Sequence, residues 1–322
     1  MPIRVGFVGA GGVANAHMNL LESLGDVQII GIVDSDEHRA EAAAMLHLSR
    51  AYPDTAAMLE SEKLDAMYVC VPPFAHGESE VLAARKGIHI FVEKPVAVDM
   101  ESALRTRDEV AASGVINCVG YHWRYQSNTD RAREILDGRT IGMVQGYWMG
   151  GTPGVGWWRR MELSGGQMVE QTTHIFDLAR YLCGEIEEVY AACSTRANHE
   201  QPDFDVYDVG GVALRFANGA VGTVASTCIL NLPYTVGIHL IAQDLVVELH
   251  GDLKVIEPGH TEVFTARENP MMLQAQAFID AVKTGSRSGI RSSYEDAVRT
   301  LAVTLACNAS AATGQPARIA TP

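Results

Sequence analysis

Basic side chains are scarce: 25 Lys and Arg stand against 39 Asp and Glu, a formal charge of −14, and the deficit runs through both halves of the 322 residues. Nucleic acid and anionic membrane surfaces are bound through clustered Lys and Arg that displace counterions, and no such cluster survives this balance. A small-molecule partner is expected instead. There is no C-x-x-C pair among Cys70, Cys118, Cys183, Cys193, Cys228 and Cys307, which sit mostly in apolar runs. Buried, reduced thiols and a cytoplasmic setting are the expectation. No stretch approaches the roughly 18 apolar residues of a membrane span. The N-terminus imitates a secretion signal through Arg4, an apolar stretch and Ala14-Asn15-Ala16, but Gly9, Gly11 and Gly12 interrupt the apolar segment and make better sense as structure. Internal repeats and low-complexity linkers are also missing. At roughly 150 residues per domain, the length predicts two domains, each able to bury a core.

What is present first is alternation. Short apolar runs at 3–8, 27–33, 66–71, 88–92 and 115–120 read as strands. Helical patterns at 13–24, 36–46, 76–86 and 100–113 separate them. Such apolar strands belong to a parallel sheet covered on both faces, so residues 1–120 are expected to form a doubly wound α/β domain. Beyond that the rhythm changes. After helices at 128–136 and 167–183, strands at 188–196, 205–216, 219–229, 234–242 and 244–250 follow one another through short turns, which means antiparallel pairing. Helices at 270–283 and 292–312 close a second, α+β domain covering 121–322, with a mostly antiparallel open sheet.

The first strand ends in Gly9-Ala10-Gly11-Gly12-Val13-Ala14, a G-x-G-x-x-[GA] pattern at the start of a helix. The first glycine permits the turn, the second lets a pyrophosphate approach the backbone, and Ala14 keeps the helix close to the sheet. Asp34 ends the second strand twenty residues after Ala14, where a carboxylate accepts hydrogen bonds from ribose hydroxyls. Together they predict nicotinamide dinucleotide binding. NAD is favoured, because Asp34 repels a 2′-phosphate; Ser35 and Arg39 follow closely enough to take that phosphate if Asp34 turns away.

Two constellations carry chemistry. Glu93-Lys94-Pro95 follows the strand Phe91-Val92, at the carboxyl end of a parallel strand, where open α/β sheets bind ligands. A lysine beside a cationic nicotinamide ring serves as an acid or base; a solvated Glu-Lys pair is an equally good reading from position alone. On the second domain's first long helix, Glu170, His174 and Asp177 fall at i, i+4 and i+7 and share one face. That face suits a proton relay or a satisfied helix histidine. A metal site ranks last, since no second histidine lies nearby at ligand spacing.

These motifs in this order, with Val71-Pro72-Pro73 and His76, Gly120-Tyr121-His122-Trp123-Arg124-Tyr125 and Trp157-Trp158-Arg159 between them, resemble the Gfo/Idh/MocA family of nicotinamide-dependent sugar and polyol oxidoreductases. The resemblance covers nearly the whole chain. It implies a Rossmann domain followed by a sheet domain whose open face joins copies into a dimer or tetramer. It places catalytic roles on Lys94 and His174, supported by Glu170 where the family carries Asp; Thr172 stands where Gly is usual. Val71, Pro72 and Glu93 fall beside the dinucleotide, His76 caps its helix or touches the same cofactor, and Arg124, Trp158 and Arg159 fall beside the substrate, with Trp157 equally a packing residue and His122 as readily a variant without a role. The expected activity is interconversion of a secondary alcohol and a ketone on a sugar, polyol or related ring. A dinucleotide-binding metabolite sensor and a metal-dependent hydrolase or isomerase are the rival readings.

Overall fold

The computed structural model describes residues 2–320. It divides into two compact units, Met1–His122 with Asn269–Val298 and Trp123–Glu268 with Arg299–Pro322; residues 1, 321 and 322 of these spans lie outside the described residues.

The first unit holds six parallel strands, β1 (Ile3–Val8), β2 (Val27–Val33), β3 (Arg50–Tyr52), β4 (Ala66–Val69), β5 (His89–Val92) and β6 (Asn117–Val119), in the order β3-β2-β1-β4-β5-β6. Helices α1 (Gly12–Ser23), α2 (Glu37–Leu46), α3 (Thr55–Ser61), α4 (Glu78–Arg85) and α5 (Met100–Ser113) connect them. The doubly wound parallel sheet read from the sequence is therefore present. Its order reverses between β1 and β4, the switch point beside which such sheets hold ligands. Strands β1, β4 and β5 are buried almost throughout, which is why their sequences are apolar without alternation. The sequence reading misses β3, three residues with no apolar run, and α3, which Asp54 caps.

That reading also gives everything past residue 120 to the second domain, whereas 269–298 returns to the first unit. The helix Pro270–Thr284 packs on α1, and its Phe278 meets Tyr68 and Phe91 edge-on. Gln274 donates to the Val119 carbonyl. Periodicity shows that this helix has an apolar face but not which sheet that face will find.

The second unit begins with α6 (Ser127–Leu136) and β7 (Ile141–Met149), passes through α7 (Met161–Ser164), α8 (Gly166–Glu170) and α9 (Thr173–Cys183), and then becomes sheet. Strands β8 (Ile186–Ser194), β9 (Val209–Phe216), β10 (Val221–Thr227), β11 (Thr235–Ala242), β12 (Leu245–His250), β13 (Asp252–Glu257), β14 (His260–Phe264) and β15 (Ala317–Arg318) join β7 in the order β14-β13-β12-β11-β7-β10-β9-β8-β15. All pairs are antiparallel except β7 with β10 at the centre. One sheet face buries Val144, Val212, Val224 and Leu240 against Ile175, Phe176 and Ala179 of α9. The helix sits tightly on β7 because Gly146 has no side chain: a Cβ there would stand 2.4 Å from Ile175 Cγ2. The other face leaves Met143, Tyr190 and Val221 exposed.

Candidate active site

The glycine turn follows β1. Gly9 has φ +99°, and a Cβ on it would stand 2.2 Å from the Cys70 carbonyl oxygen, so both torsion and space demand glycine. A Cβ on Gly11 or Gly12 would meet nothing within 4 Å, so packing does not explain those two. They sit at the N-terminus of α1, which has no capping side chain, whereas Asp36, Asp54 and Asp99 cap α2, α3 and α5. First-turn N–H groups left in this way suit an anion. Ala14 is fully buried beneath them, and Val13 is exposed.

Asp34 lies just past β2. Its Oδ2 accepts the Ala10 N–H at 2.7 Å and its Oδ1 accepts the Asp36 N–H at 2.9 Å, which fixes the carboxylate against the glycine turn. Arg39 Nε lies 3.5 Å from Oδ1, Arg39 also reaches Asp36, and Ser35 is exposed. An uncapped helix start for a pyrophosphate beside a fixed carboxylate for ribose hydroxyls fits a dinucleotide. Val71 and Pro72 follow β4, half-buried. Beyond them His76 Nδ1 lies 2.6 Å from Glu80 Oε1, while Glu80 Oε2 accepts the Gly77 N–H; both side chains are fully buried and secure the start of α4.

At the end of β5, Glu93 enters a buried network. Its Oε1 lies 2.7 Å from His17 Nε2 on α1, and its Oε2 accepts the Lys94 amide N–H at 3.1 Å. Gly120 leaves room for it, since a Cβ there would stand 2.8 Å from the carboxyl atoms. Burial alone would raise the Glu93 pKa. The hydrogen bond and charge of His17, with Lys94 and His122, reverse that and leave it below the ordinary value. Burial pushes His122 down to about 4 against the attraction of Glu93, so it is neutral at physiological pH. Spacing gave no role to His17, although a histidine on the face of α1 shared by Ala14, Met18 and Leu21 signals a buried partner.

In the second unit the single helix expected over 167–183 is broken. The Thr172 N–H reaches five residues back to the Gln167 carbonyl, while the Ile175 N–H reaches only three back to Thr172, so the repeat slips where β-branched Thr172 and Thr173 meet. Glu170 ends α8 and His174 opens α9, so the two stand on either side of the break and not on one continuous helix. Glu170 Oε2 accepts the Trp158 indole N–H at 2.7 Å. Trp158, expected on a pocket wall, has no exposed surface and packs with Val206 and Cys228, so what it offers is that hydrogen bond. Arg159 is half-buried beside it.

His174 is 5% exposed, and its ring lies against Trp123 and Trp148 at centroid distances of 5.1 and 5.8 Å, nearly parallel to both. Asp177 turns to other work. Arg124, expected at the substrate, is buried and grips the Asp177 carboxylate through Nε and Nη2 at 2.8 and 2.6 Å. Thr300 donates to the same carboxylate and accepts from Arg180. Among the described residues no group of three or more His, Cys, Asp and Glu side chains is arranged to hold a metal ion.

Residues 3–121 match the model of an oxidoreductase family with an NAD-binding Rossmann fold, and residues 129–257 match the GFO/IDH/MocA C-terminal domain. The myo-inositol 2-dehydrogenase of Thermotoga maritima is 30% identical over 225 residues, 69% of this chain and 67% of that protein. The D-glucoside 3-dehydrogenase of Escherichia coli is 26% identical over 251 residues, 72% of each chain. Among solved structures, levoglucosan dehydrogenase in complex with NADH and levoglucosan superposes with a TM-score of 0.91 at 19% identity, covering 100% of both chains, a likeness of fold. Matched in both domains by the family's own models, the chain belongs to the Gfo/Idh/MocA family of oxidoreductases, with an NAD-binding Rossmann fold.

Proposed function

We propose that this protein is an NAD-dependent dehydrogenase interconverting a secondary alcohol and a ketone on a cyclic polyol or sugar. The observation that carries the reading is that both proton-handling groups of the motif set are held by dedicated partners. Lys94 follows the anchored Glu93, and the His174 ring is fixed by two indoles. A sensor has no need of either. Relatives named for inositol and glucoside oxidation support the substrate class.

Bound NAD supplies the hydride acceptor, or, as NADH, the donor. The chain's own part is to bind, orient and move a proton. His174 takes the hydroxyl proton as the alcohol is oxidised and returns it in the reverse direction. The Lys94 ammonium donates a hydrogen bond to the reacting oxygen and stabilises its developing negative charge. Glu170, steadied by Trp158, orients His174. Asp34 selects NAD, because a 2′-phosphate there faces a fixed carboxylate. The exposed face of the second unit's sheet joins copies into a dimer or tetramer, and the free thiols suit a cytoplasmic setting.

The test is a panel. Purified protein with NAD is offered cyclic polyols, aldoses and glucosides while nicotinamide absorbance is followed. Reduction of NAD by at least one cyclic polyhydroxylated compound is expected. NAD binding without reduction by any of them overturns the reading in favour of a sensor.

A further inference from the structure

We propose that the buried His17–Glu93 pair is a clamp that positions Lys94, so that His17, remote in sequence, is a positioning residue. The inference rests on the reading of Lys94 as the group that holds the reacting oxygen.

Both Glu93 oxygens are committed, one to His17 Nε2 at 2.7 Å and the other to the Lys94 amide at 3.1 Å. The carboxylate is therefore fixed between α1 and the end of β5, in the space that side-chain-free Gly120 leaves open. His17 is 1% exposed, with its ring packed at 5.5 Å from Tyr68 and 5.0 Å from Phe91. Its Nδ1 is buried and has no hydrogen-bond partner among the described residues. The chain of hydrogen bonds thus ends at His17 instead of continuing to solvent, which makes the pair a clamp and not a proton wire.

A charged carboxylate in such a place is costly unless fully paired, and here it immediately precedes a lysine whose amide it holds. The Lys94 ammonium favours the charged form of Glu93. The groups facing Glu93 are His17 from α1, Lys94 beside it and His122 beyond β6. The clamp therefore fixes the backbone from which the Lys94 side chain projects.

The test needs no substrate. Wild type, Glu93→Gln, His17→Phe and His17→Gln are treated with a reductive-methylation reagent, and peptide mass spectrometry reads the rate at Lys94 against Lys63, Lys86 and Lys254 of the same molecules. Glutamine offers a single acceptor oxygen and cannot hold both N–H partners, so Glu93→Gln releases the Lys94 backbone and is expected to raise the relative rate at Lys94 about tenfold. His17→Phe keeps the aromatic packing, loses the donor and moves the rate the same way. His17→Gln, whose amide nitrogen reaches the same oxygen, returns most of the difference. General loosening would accelerate the reference lysines too and would not be rescued by glutamine. An unchanged relative rate in folded Glu93→Gln, or His17→Gln behaving like His17→Phe, overturns the clamp. Failure of every polyol to reduce NAD, with the Lys94 response intact, counts against the dehydrogenase reading alone.

Discussion

The indole N–H of Trp158 donates to Glu170 Oε2 across 2.7 Å, and the indole that does so has no surface exposed to solvent. A carboxylate placed four residues before a histidine by sequence is thus fixed by a tryptophan twelve residues away. Trp158→Phe keeps most of the ring and removes the donor. It is expected to cost about 1–3 kcal/mol of stability through the acceptor left behind. If the Trp158 bond sets the aim of Glu170 at His174, turnover falls about a hundredfold, since misplacement near an ångström has that effect, with NAD affinity retained. Unfolding curves and steady-state kinetics decide; wild-type turnover in a stable variant removes Trp158 from the mechanism.

The glycine turn separates a folding requirement from a binding one. Gly9→Ala forces a side chain to φ +99° and against the Cys70 carbonyl, and is expected to cost about 2–4 kcal/mol. Gly11→Ala meets nothing within 4 Å at an ordinary φ of −74°, so stability should hold while the methyl group obstructs the dinucleotide. Denaturation and NADH titration of both variants check this. Equal NADH affinity in wild type and Gly11→Ala contradicts the placement of the pyrophosphate.

His122 gives stability a pH dependence of known sign. Its folded pKa is lowered to about 4 from an ordinary 6.5, so between these values the unfolded chain binds more protons and stability falls as pH drops. Above pH 6.5 it contributes no slope. The loss approaches about 3 kcal/mol by pH 4. His122→Gln should flatten that limb of the stability curve and leave the neutral plateau nearly unmoved; an identical acid limb in the variant refutes the assignment.

Asp34 is the expected basis of cofactor choice. Asp34→Asn removes the charge that accepts ribose hydroxyls and repels a 2′-phosphate, so NAD affinity should fall about tenfold or more while NADP gains relative to it. Titration with both dinucleotides is the check. A ratio unchanged from wild type places the discrimination elsewhere.

The parts legible in sequence were those that local physics dictates. Strands buried on both faces must be apolar, as residues 5–8 and Ala66–Val69 are, and a turn such as Gly9's admits only glycine. Three features were not legible, because each is settled by what packs from afar. The slip between α8 and α9 lies at Thr172 and Thr173, inside a stretch whose periodicity reads as one unbroken helix. Asp177 looks like a member of the His174 face until Arg124 claims it. His17 looks like an odd polar residue on a buried helix face, and only the fold brings Glu93 to it.

The most direct test of the central claim is the His174→Ala variant, assayed beside wild type with NAD and the best cyclic polyol or sugar found. NADH binding close to wild type and turnover lower by orders of magnitude are expected. Turnover equal to wild type in that variant would remove His174 from the proton path, because the alcohol proton would then be leaving by another route.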